Sequence, residues 1–305
     1  MPYYLGIDGG GTKTTCAVGD ESRLLATATA GPSNIVRVGE VNTRESLRRS
    51  VLQACAAAGI APAQVARTCV GGSGAGRPEL AEIVRRILAE ILPSPIIVVG
   101  DMQSALEAAF DTGPGVVVNA GTGSFAYGRN SHGNTMRAGG WGFAIGDEGS
   151  AHWVGHEAVR AVLQESERVD DASQFVRTSL VQGLFKTWGV SSFLDLARAG
   201  NSVPPPDFAA LFPAVAASQD EIAQNILRDA GRELARLAQV VIRKLFGKEE
   251  AVVPVAITGG AFRHSELVRE VFYNELRELE PRAQVASQVV ESVEGALRLA
   301  RRAQG

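Results

Sequence analysis

Short apolar runs alternate with longer amphipathic stretches along most of the chain, as expected for an α/β fold. The start of the chain differs, because three β-rich segments follow one another with only a glycine turn and a short polar link between them: Tyr3–Asp8, Thr14–Val18 and Arg23–Ala30. Three successive strands without a helix predict an antiparallel meander. This start is unlike the strand, loop and helix that open a Rossmann unit.

Helical and strand patterns alternate after the meander. The predicted elements are a helix at Thr43–Ala58, a strand at Val65–Gly71, a helix at Pro78–Ile91, a strand at Pro95–Val99 and a helix at Met102–Phe110. The segment Asp111–Gly115 is rich in turn residues and is the predicted domain boundary.

The opening pattern then recurs, since a strand at Val116–Asn119, a glycine turn and a strand at Ser124–Gly128 repeat the arrangement of Ile7–Thr15. The recurrence suggests two related halves. The remaining predicted elements are helices at Ser150–Glu165, Ala172–Lys186 and Gln219–Phe246, with Gly231 as a candidate break, a strand at Val253–Thr258, and helices at Arg263–Glu278 and Val290–Arg302. Because the last helix is expected to return to the first half, the predicted domains are residues 1–112 with 290–305, and residues 113–289.

Composition narrows the class of partner to a small molecule. The chain has 305 residues, 45% of them hydrophobic and 21% charged, with a net charge of -3, so it offers no basic surface for nucleic acid or an anionic membrane. The N-terminus lacks the pattern of a signal peptide, and no apolar run is long enough for a membrane span. Cys16, Cys55 and Cys69 lack any metal-binding spacing and are predicted to be reduced thiols of a cytoplasmic protein.

Three glycine-rich turns are candidate nucleotide contacts. The first, Asp8 to Thr14, combines backbone N–H groups that can approach phosphate with a carboxylate for Mg²⁺, a cation at Lys13 and the hydroxyls of Thr12 and Thr14. It is not a Walker A loop, because GxxxxGK[ST] is absent. The second turn is Asn119 to Ser124, and the third is Thr258 to Ala261, between a strand and a helix.

The order of these motifs resembles one family. The segments GIDGGGTKT, Asp101 after a strand, NAGTGS, GGWGFAIGDEGSAHW and ITGGAFR are similar to the N-acetylglucosamine kinase branch of the BadF/BadG/BcrA/BcrD ATPase superfamily, within the actin/hexokinase/Hsp70 fold. The resemblance implies two RNase H-like (actin-like ATPase) domains flanking a hinged cleft, ATP and Mg²⁺ as cofactors, a hexosamine substrate and a homodimer.

The resemblance also implies roles for individual residues. Asp8 lies near the metal. The nucleotide contacts are Gly9, Gly10, Gly11, Thr12, Lys13, Thr14, Thr122, Gly123, Gly259, Gly260 and Ala261. The sugar contacts are Asn34, Asp101, Ser124, Gly140, Trp141, Gly142 and Asp147. Phe125 stands where the animal enzymes carry Asn, and its ring faces either an apolar or bulky sugar substituent or the core, because neighbouring residues of a strand point to opposite faces. Trp141 packs on a sugar face or in the core.

Asp101 also suits catalysis on chemical grounds. Phosphoryl transfer to a hydroxyl needs a fixed carboxylate that accepts the proton, and a strand end followed by a helix start would aim this side chain. Asp101 is therefore the predicted base, at an expected helix N-cap position. The alternative is a plain capping residue.

Alternative functions stay open at this point. Other substrates are glucosamine, N-acetylmuramic acid and a plain hexose. A non-kinase ATPase of the same superfamily that activates dehydratases through an iron–sulfur cluster would need cysteines at a subunit interface. A regulator without turnover would lack the carboxylate or carry a DNA-binding extension. His152 and His156 are four residues apart, but no HExxH accompanies them, so a zinc site is not expected.

Overall fold

Two five-stranded sheets form the centre of the computed structural model, which describes residues 2–247 and 252–302. The described residues divide into two compact units, the first reaching Val117 and including the segment from Val290 onward, the second covering Val118–Val289. The strands are β1 (Tyr3–Gly9), β2 (Thr14–Gly19), β3 (Leu24–Ala30), β4 (Val65–Gly72), β5 (Ile96–Gly100), β6 (Gly115–Ala120), β7 (Ser124–Arg129), β8 (Thr135–Gly139), β9 (Val253–Thr258) and β10 (Ala283–Val290).

Helices connect and cover these strands. They are α1 (Ile35–Ala57), α2 (Pro78–Ala89), α3 (Asp101–Phe110), α4 (Ala151–Ser166), α5 (Ala172–Phe175), α6 (Ser179–Trp188), α7 (Phe193–Gly200), α8 (Phe212–Ala217), α9 (Glu221–Leu245), α10 (Gly260–His264), α11 (Glu266–Leu279) and α12 (Ser292–Arg302). Among the described helices, none has the length and apolar character needed to cross a bilayer.

The first sheet has the order β3-β2-β1-β4-β5. The pairs β1–β2 and β2–β3 are antiparallel, which confirms the predicted meander, whereas β1–β4 and β4–β5 are parallel. Asp8 is in register with Gly71, and Gly72 is in register with Gly100. Because parallel strands end at the same edge of a sheet, Asp8 and the residue after Gly100, Asp101, lie at one edge.

The second sheet has the order β10-β9-β6-β7-β8, which repeats the first sheet strand for strand when read from the other end. The first strand of each glycine motif, β1 or β6, is central in its sheet. This topology confirms two related RNase H-like halves. The sequence missed the outer strands β8 and β10, because their residues are largely exposed and form no apolar run.

Several predicted helices differ from the structure. Ala172–Lys186 is divided into α5 and α6, and Arg263–Glu278 is divided at Ser265, whose hydroxyl caps α11 by accepting the Val268 N–H at 3.3 Å. The candidate break at Gly231 is wrong, because α9 is continuous there. A Cβ on residue 231 would lie 2.9 Å from the Val268 carbonyl oxygen, so this glycine allows α11 to pack against α9.

The first sheet is covered on both faces. On one face, Leu5, Ile7 and Val70 pack with buried residues of α1 and α2 such as Leu47 and Ile87. On the other face, α12 packs against the sheet through Val293 and Leu297 and through Ala296 and Ala300. The last helix therefore belongs to the core of the first unit.

The approach of α12 to α3 leaves no room for a side chain at Gly295. A Cβ there would lie 1.9 Å from the Ser104 carbonyl oxygen and 2.5 Å from the Ala108 nitrogen, both backbone atoms. Backbone atoms cannot move aside as the end of a flexible side chain can, so the two helices would have to separate.

We expect Gly295→Ala to destabilise the protein by at least about 1–3 kcal/mol through overpacking, although alanine is the better helix former. The midpoint of thermal unfolding measures this effect. The matched control is Gly76→Ala, because a Cβ at Gly76 meets no atom within 4 Å. A midpoint for Gly295→Ala equal to that of the control would contradict the steric argument.

Candidate functional site

Carboxylates gather at the edge of the first sheet. Asp8 is the next-to-last residue of β1, Asp101 follows β5, and Glu291 precedes α12. Burial raises the pKa of the Asp8 carboxyl to about 7; Asp101 also raises this pKa, Lys13 opposes the rise and Glu291 adds a smaller one. Glu291 lies in none of the sequence motifs, and its only signal in the sequence is its place between a strand and a helix. Such a set of acidic groups favours a bound cation.

Oxygen ligands of this kind fit Mg²⁺. In nucleotide sites Mg²⁺ uses one or two carboxylates and completes its shell with phosphate and water oxygens. Over residues 2–247 and 252–302, no group of three or more His, Cys, Asp and Glu is placed to enclose a metal by itself. Asp8 and its acidic neighbour Asp101 therefore suit a metal ion that arrives bound to a nucleotide better than they suit a structural metal ion enclosed by protein ligands.

Asp101 is the first residue of α3, and the N-cap is Gly100, one residue earlier than the predicted cap. Its Oδ1 accepts a hydrogen bond from the Met102 N–H at 3.0 Å. Ser104 fixes the start of the helix by donating to the Asp101 carbonyl at 2.9 Å. A Cβ at Gly71 would lie 2.1 Å from the Ser104 hydroxyl, so α3 can approach β4 this closely only at a glycine.

The first glycine turn is closed by its own backbone. The Gly10 N–H donates to the Lys13 carbonyl at 3.0 Å, and the Gly10 carbonyl accepts from the N–H groups of Ser33 and Asn34, each at 3.1 Å. Thr12 and Lys13 are exposed. Thr14 is fully buried, and its hydroxyl lies 2.7 Å from both the Gly31 carbonyl and the Ser33 hydroxyl. The predicted ligand role of the Thr14 side chain is thus corrected to one of support, because its hydroxyl is buried among these partners.

Asn34 is tied to the same turn. Its Oδ1 caps α1 by accepting the Val36 N–H at 3.1 Å, and its Nδ2 donates to the Ser73 hydroxyl at 3.2 Å. The Ser73 N–H donates in turn to the Gly9 carbonyl at 2.9 Å. The sequence analysis missed Ser73, because its contact with Asn34 joins residues 39 positions apart. Asn34 is therefore held in a fixed orientation beside the first turn.

The second glycine turn lies against the start of α4. Within the turn, the Gly121 N–H and the Asn119 amide both donate to the Gly123 carbonyl, at 3.0 and 3.2 Å. The first N–H groups of α4 donate back to the turn, Ala151 to the Gly121 carbonyl at 2.9 Å and His152 to the Thr122 carbonyl at 3.3 Å. The turn that holds Thr122 is thereby fixed to a sixteen-residue helix.

Asp147 is buried beside this turn with a positive φ of 63°. Burial raises the pKa of its carboxyl, the backbone N–H groups of Ser124 and Gly142 oppose the rise by donating to it, and Glu148 adds to it. A Cβ at Gly123 would lie 2.7 Å from the Asp147 carboxylate, which accounts for the glycine. The carboxylate is thus held by two backbone donors from separate segments.

Two predicted sugar contacts are buried inside the second unit. Ser124 is 1% exposed and donates to the Glu148 carbonyl at 2.7 Å, so its hydroxyl supports the Asp147 loop. Phe125 is 5% exposed and pairs with Gly139 across β7 and β8. The expectation that the Phe125 ring faces a sugar substituent is replaced by the alternative, a core position.

Trp141 has the opposite environment. It is 67% exposed, between Gly140 and Gly142, which both have positive φ. The Arg137 guanidinium carbon lies 4.7 Å from the centroid of its ring, a cation–π contact that orients the indole. The ring is therefore available to a ligand, and the core alternative is excluded.

The third glycine turn contacts the second. Gly259 has φ of 102°, and a Cβ there would lie 2.4 Å from the Ala120 carbonyl oxygen, so both its conformation and its surroundings require glycine. A Cβ on Gly260 would meet no atom within 4 Å, which leaves open space at the start of α10. Ala261 is fully buried, so any contact that it makes with adenosine is through its backbone.

The sequence matches the BadF/BadG/BcrA/BcrD ATPase family over residues 5–297. It is 29% identical to an N-acetylmuramic acid/N-acetylglucosamine kinase of Clostridium acetobutylicum, over 99% of both chains. It is 31% identical to an N-acetyl-D-glucosamine kinase of Dictyostelium discoideum, over 97% of both. Among solved structures, a candidate N-acetylglucosamine kinase of Chromobacterium violaceum superposes with a TM-score of 0.75 at 25% identity over 99% of both chains.

The raised pKa of Asp8 predicts a pH-dependent cost to stability in the absence of metal. Between its ordinary value of 3.8 and its folded value of about 7, the folded state binds more protons, so stability falls as the pH rises through this window. Asp8→Asn removes the cost. We expect the free energy of unfolding of the variant to exceed that of wild type by a difference that grows across this pH window and reaches about 1–3 kcal/mol above pH 7. Thermal unfolding in EDTA measures this difference.

The matched control for this experiment is Asp20→Asn. Backbone N–H groups of Ser22 and Arg23 hold the pKa of the exposed Asp20 carboxyl below its ordinary value, so this variant should be less stable than wild type at neutral pH and converge with it in acid. If the stability of wild type and that of Asp8→Asn changed with pH in the same way, the predicted destabilisation by Asp8 would be refuted.

Proposed function

The chain belongs to the BadF/BadG/BcrA/BcrD ATPase family, and from this premise we propose that it transfers the γ-phosphoryl group of ATP to O6 of N-acetylglucosamine, with Asp101 as the base. Its relatives over nearly their whole length are N-acetylglucosamine kinases, and the chain is a sugar kinase that uses ATP. The position of Asp8 and Asp101 at one edge of the first sheet, next to a glycine turn, is the observation that carries the detailed proposal.

Phosphoryl transfer requires positioning and charge neutralisation more than covalent chemistry by the protein. Asp101 would accept the proton of the sugar hydroxyl as the new P–O bond forms. Its Oδ1 is oriented by the Met102 N–H, and α3 is seated on β4 at Gly71, so the carboxylate has little freedom to turn away. This restriction supports a base that acts at one fixed point.

Mg²⁺ would be held by Asp8, together with phosphate oxygens and water, and would neutralise charge on the transferring group. The neighbouring Lys13 is exposed in the glycine turn and is suited to contact phosphate. Thr12 and Thr122, each in a glycine turn, are the proposed hydroxyl contacts to the nucleotide.

The proposed sugar contacts are Asn34, Asp147 and Trp141. Asn34 and Asp147 are both held by backbone N–H donors, which suits side chains that must meet hydroxyl groups at set positions. Trp141 offers an exposed ring that can pack on a sugar face. Ser124 supports the loop of Asp147 from within the core, where Phe125 is also buried.

The activator ATPases are a weaker candidate for this chain. An iron–sulfur cluster shared by two subunits needs thiolates at the protein surface. Cys16, Cys55 and Cys69 all lie free in the interior of the first unit, and burial raises the pKa of each thiol, which opposes the thiolate that a metal requires. N-acetylmuramic acid is the second candidate substrate, because the relative from Clostridium acetobutylicum is named for both sugars.

Product analysis tests the proposed reaction. Purified enzyme with ATP and Mg²⁺ is offered N-acetylglucosamine, N-acetylmuramic acid, glucosamine and glucose, and the products are assigned by NMR. We expect phosphorus on O6 and the highest kcat/KM for an N-acetylated sugar. Phosphorus on O1 or O3, or no transfer to any hexosamine, would overturn the proposal.

Asp101→Asn should lower kcat by a factor on the order of 10²–10⁴, the usual cost of losing a positioned acid–base group. The affinity for a non-hydrolysable ATP analogue, measured by calorimetry, should change by less than about threefold, because Asn keeps the shape and the Met102 contact. Asp111→Asn is the control, since Asp111 lies at the other end of α3 and Asn tolerates its φ of 56°. Near-normal turnover of Asp101→Asn would reduce Asp101 to a structural residue.

A further inference from the structure

The first turn of α4 contacts both parts of the candidate site in the second unit. Its N–H groups at Ala151 and His152 donate to the carbonyls of the second glycine turn, and the Ser150 N–H donates to the Asp147 carbonyl at 3.1 Å. The backbone of this helix start therefore anchors the nucleotide turn and the end of the segment Gly139–Gly149, which we call the sugar loop.

The His152 side chain adds a contact to the middle of the sugar loop. Its ring centroid lies 5.1 Å from that of Phe143, with 47° between the planes. On the other side, the His152 ring meets the edge of Phe208 at 5.3 Å and 67°. The imidazole is thus packed between a loop residue that is largely exposed, Phe143, and a residue that is buried, Phe208.

Phe208 is a rigid support. A Cβ at Gly155 would lie 2.0 Å from the Phe208 carbonyl oxygen, so the backbone of the short helix Phe208–Leu211 lies directly against α4. The ring of Trp188 also meets Phe208, at 5.1 Å. The His152 ring therefore connects Phe143 to Phe208, whose own position is fixed.

The sugar loop depends on a few such contacts. Between Trp141 and Ile145, both largely exposed, the loop is closed by the N–H groups of Ile145 and Gly146, which donate to the Gly142 carbonyl at 3.2 and 2.9 Å. Glycines with positive φ precede and follow Trp141, so the backbone there has many alternative conformations in the absence of side-chain anchors.

We propose that His152 is a positioning residue whose ring holds Phe143, and through it the sugar loop with Trp141, in the conformation that binds the sugar. This inference rests on the proposed function, in which Trp141 and Asp147 contact the sugar. It adds a residue to which no contact with either substrate has been assigned.

The kinetic test compares His152→Ala, His152→Phe and the control His156→Ala. His156 lies one turn further along α4 and also meets Phe208, at 5.2 Å, but within the described part of the chain its ring does not stack on the sugar loop. We expect His152→Ala to raise the KM for the sugar by about threefold to tenfold, the effect of one lost aromatic pair. The KM for ATP should change by less than about twofold, His152→Phe should restore the sugar KM, and His156→Ala should match wild type.

Hydrogen exchange tests the positioning without any turnover. Peptides that cover Gly142–Gly146 should exchange at least about threefold faster in His152→Ala than in wild type, and at the wild-type rate in His152→Phe. Peptides from the hairpin turn between β7 and β8 provide the internal reference. Unchanged exchange in His152→Ala, or equal changes in both variants, would overturn the positioning role. If wild type phosphorylated no sugar but exchange behaved as expected, only the proposed function would fail.

Discussion

Backbone or side-chain atoms approach several glycines of this protein at distances that only glycine permits, and the candidate site depends on these approaches. In the first unit, α3 contacts β4 at Gly71 and α12 contacts α3 at Gly295, which fixes where Asp101 emerges from the sheet edge. In the second unit, Gly259 lies against Ala120 and Gly123 lies against Asp147. A Cβ at Gly295 or Gly259 would push backbone segments apart, and a Cβ at Gly71 or Gly123 would displace the side chain of Ser104 or Asp147. Packing and the geometry of the candidate site are therefore one constraint.

The same sheet edge has an electrostatic cost. Burial removes water from the Asp8 carboxyl at the end of β1, and repulsion from Asp101 at the end of β5 adds to this cost, as the raised pKa of Asp8 indicates. A divalent cation with its phosphate ligands removes that repulsion. The arrangement that is least favourable for the ligand-free protein is thus the one suited to a metal–nucleotide complex, a common relation between stability and function.

In the second unit, the main constraint is the support of a glycine-rich loop. Its candidate ligand contacts lie on segments with little intrinsic structure. The start of α4 contacts these segments through its first N–H groups and through the His152 ring. Backbone hydrogen bonds fix the two ends of the sugar loop, whereas aromatic packing acts on its middle. This division follows from composition, since the middle of the loop has large apolar side chains and its ends have glycine and acidic residues.

The sequence by itself determined the class of fold, the meander, the repeat of the strand and glycine turn, and the order of the motifs. Each of these features depends on the pattern of residues that are close together in the sequence. It did not determine the outer strands β8 and β10, whose exposed residues form no apolar run, or the continuity of α9 through Gly231. For the candidate site, local pattern and the family resemblance named Asp8, Asn34, Asp101, Trp141 and Asp147 as candidates, but they did not determine which side chains face inward. Only the tertiary structure decided that Thr14, Ser124 and Phe125 are buried and that Ser73 and Glu291 lie beside the candidate ligands. The physical reason is that side-chain direction and long-range neighbours are set by how the sheets and helices pack, and packing joins residues that the sequence keeps far apart.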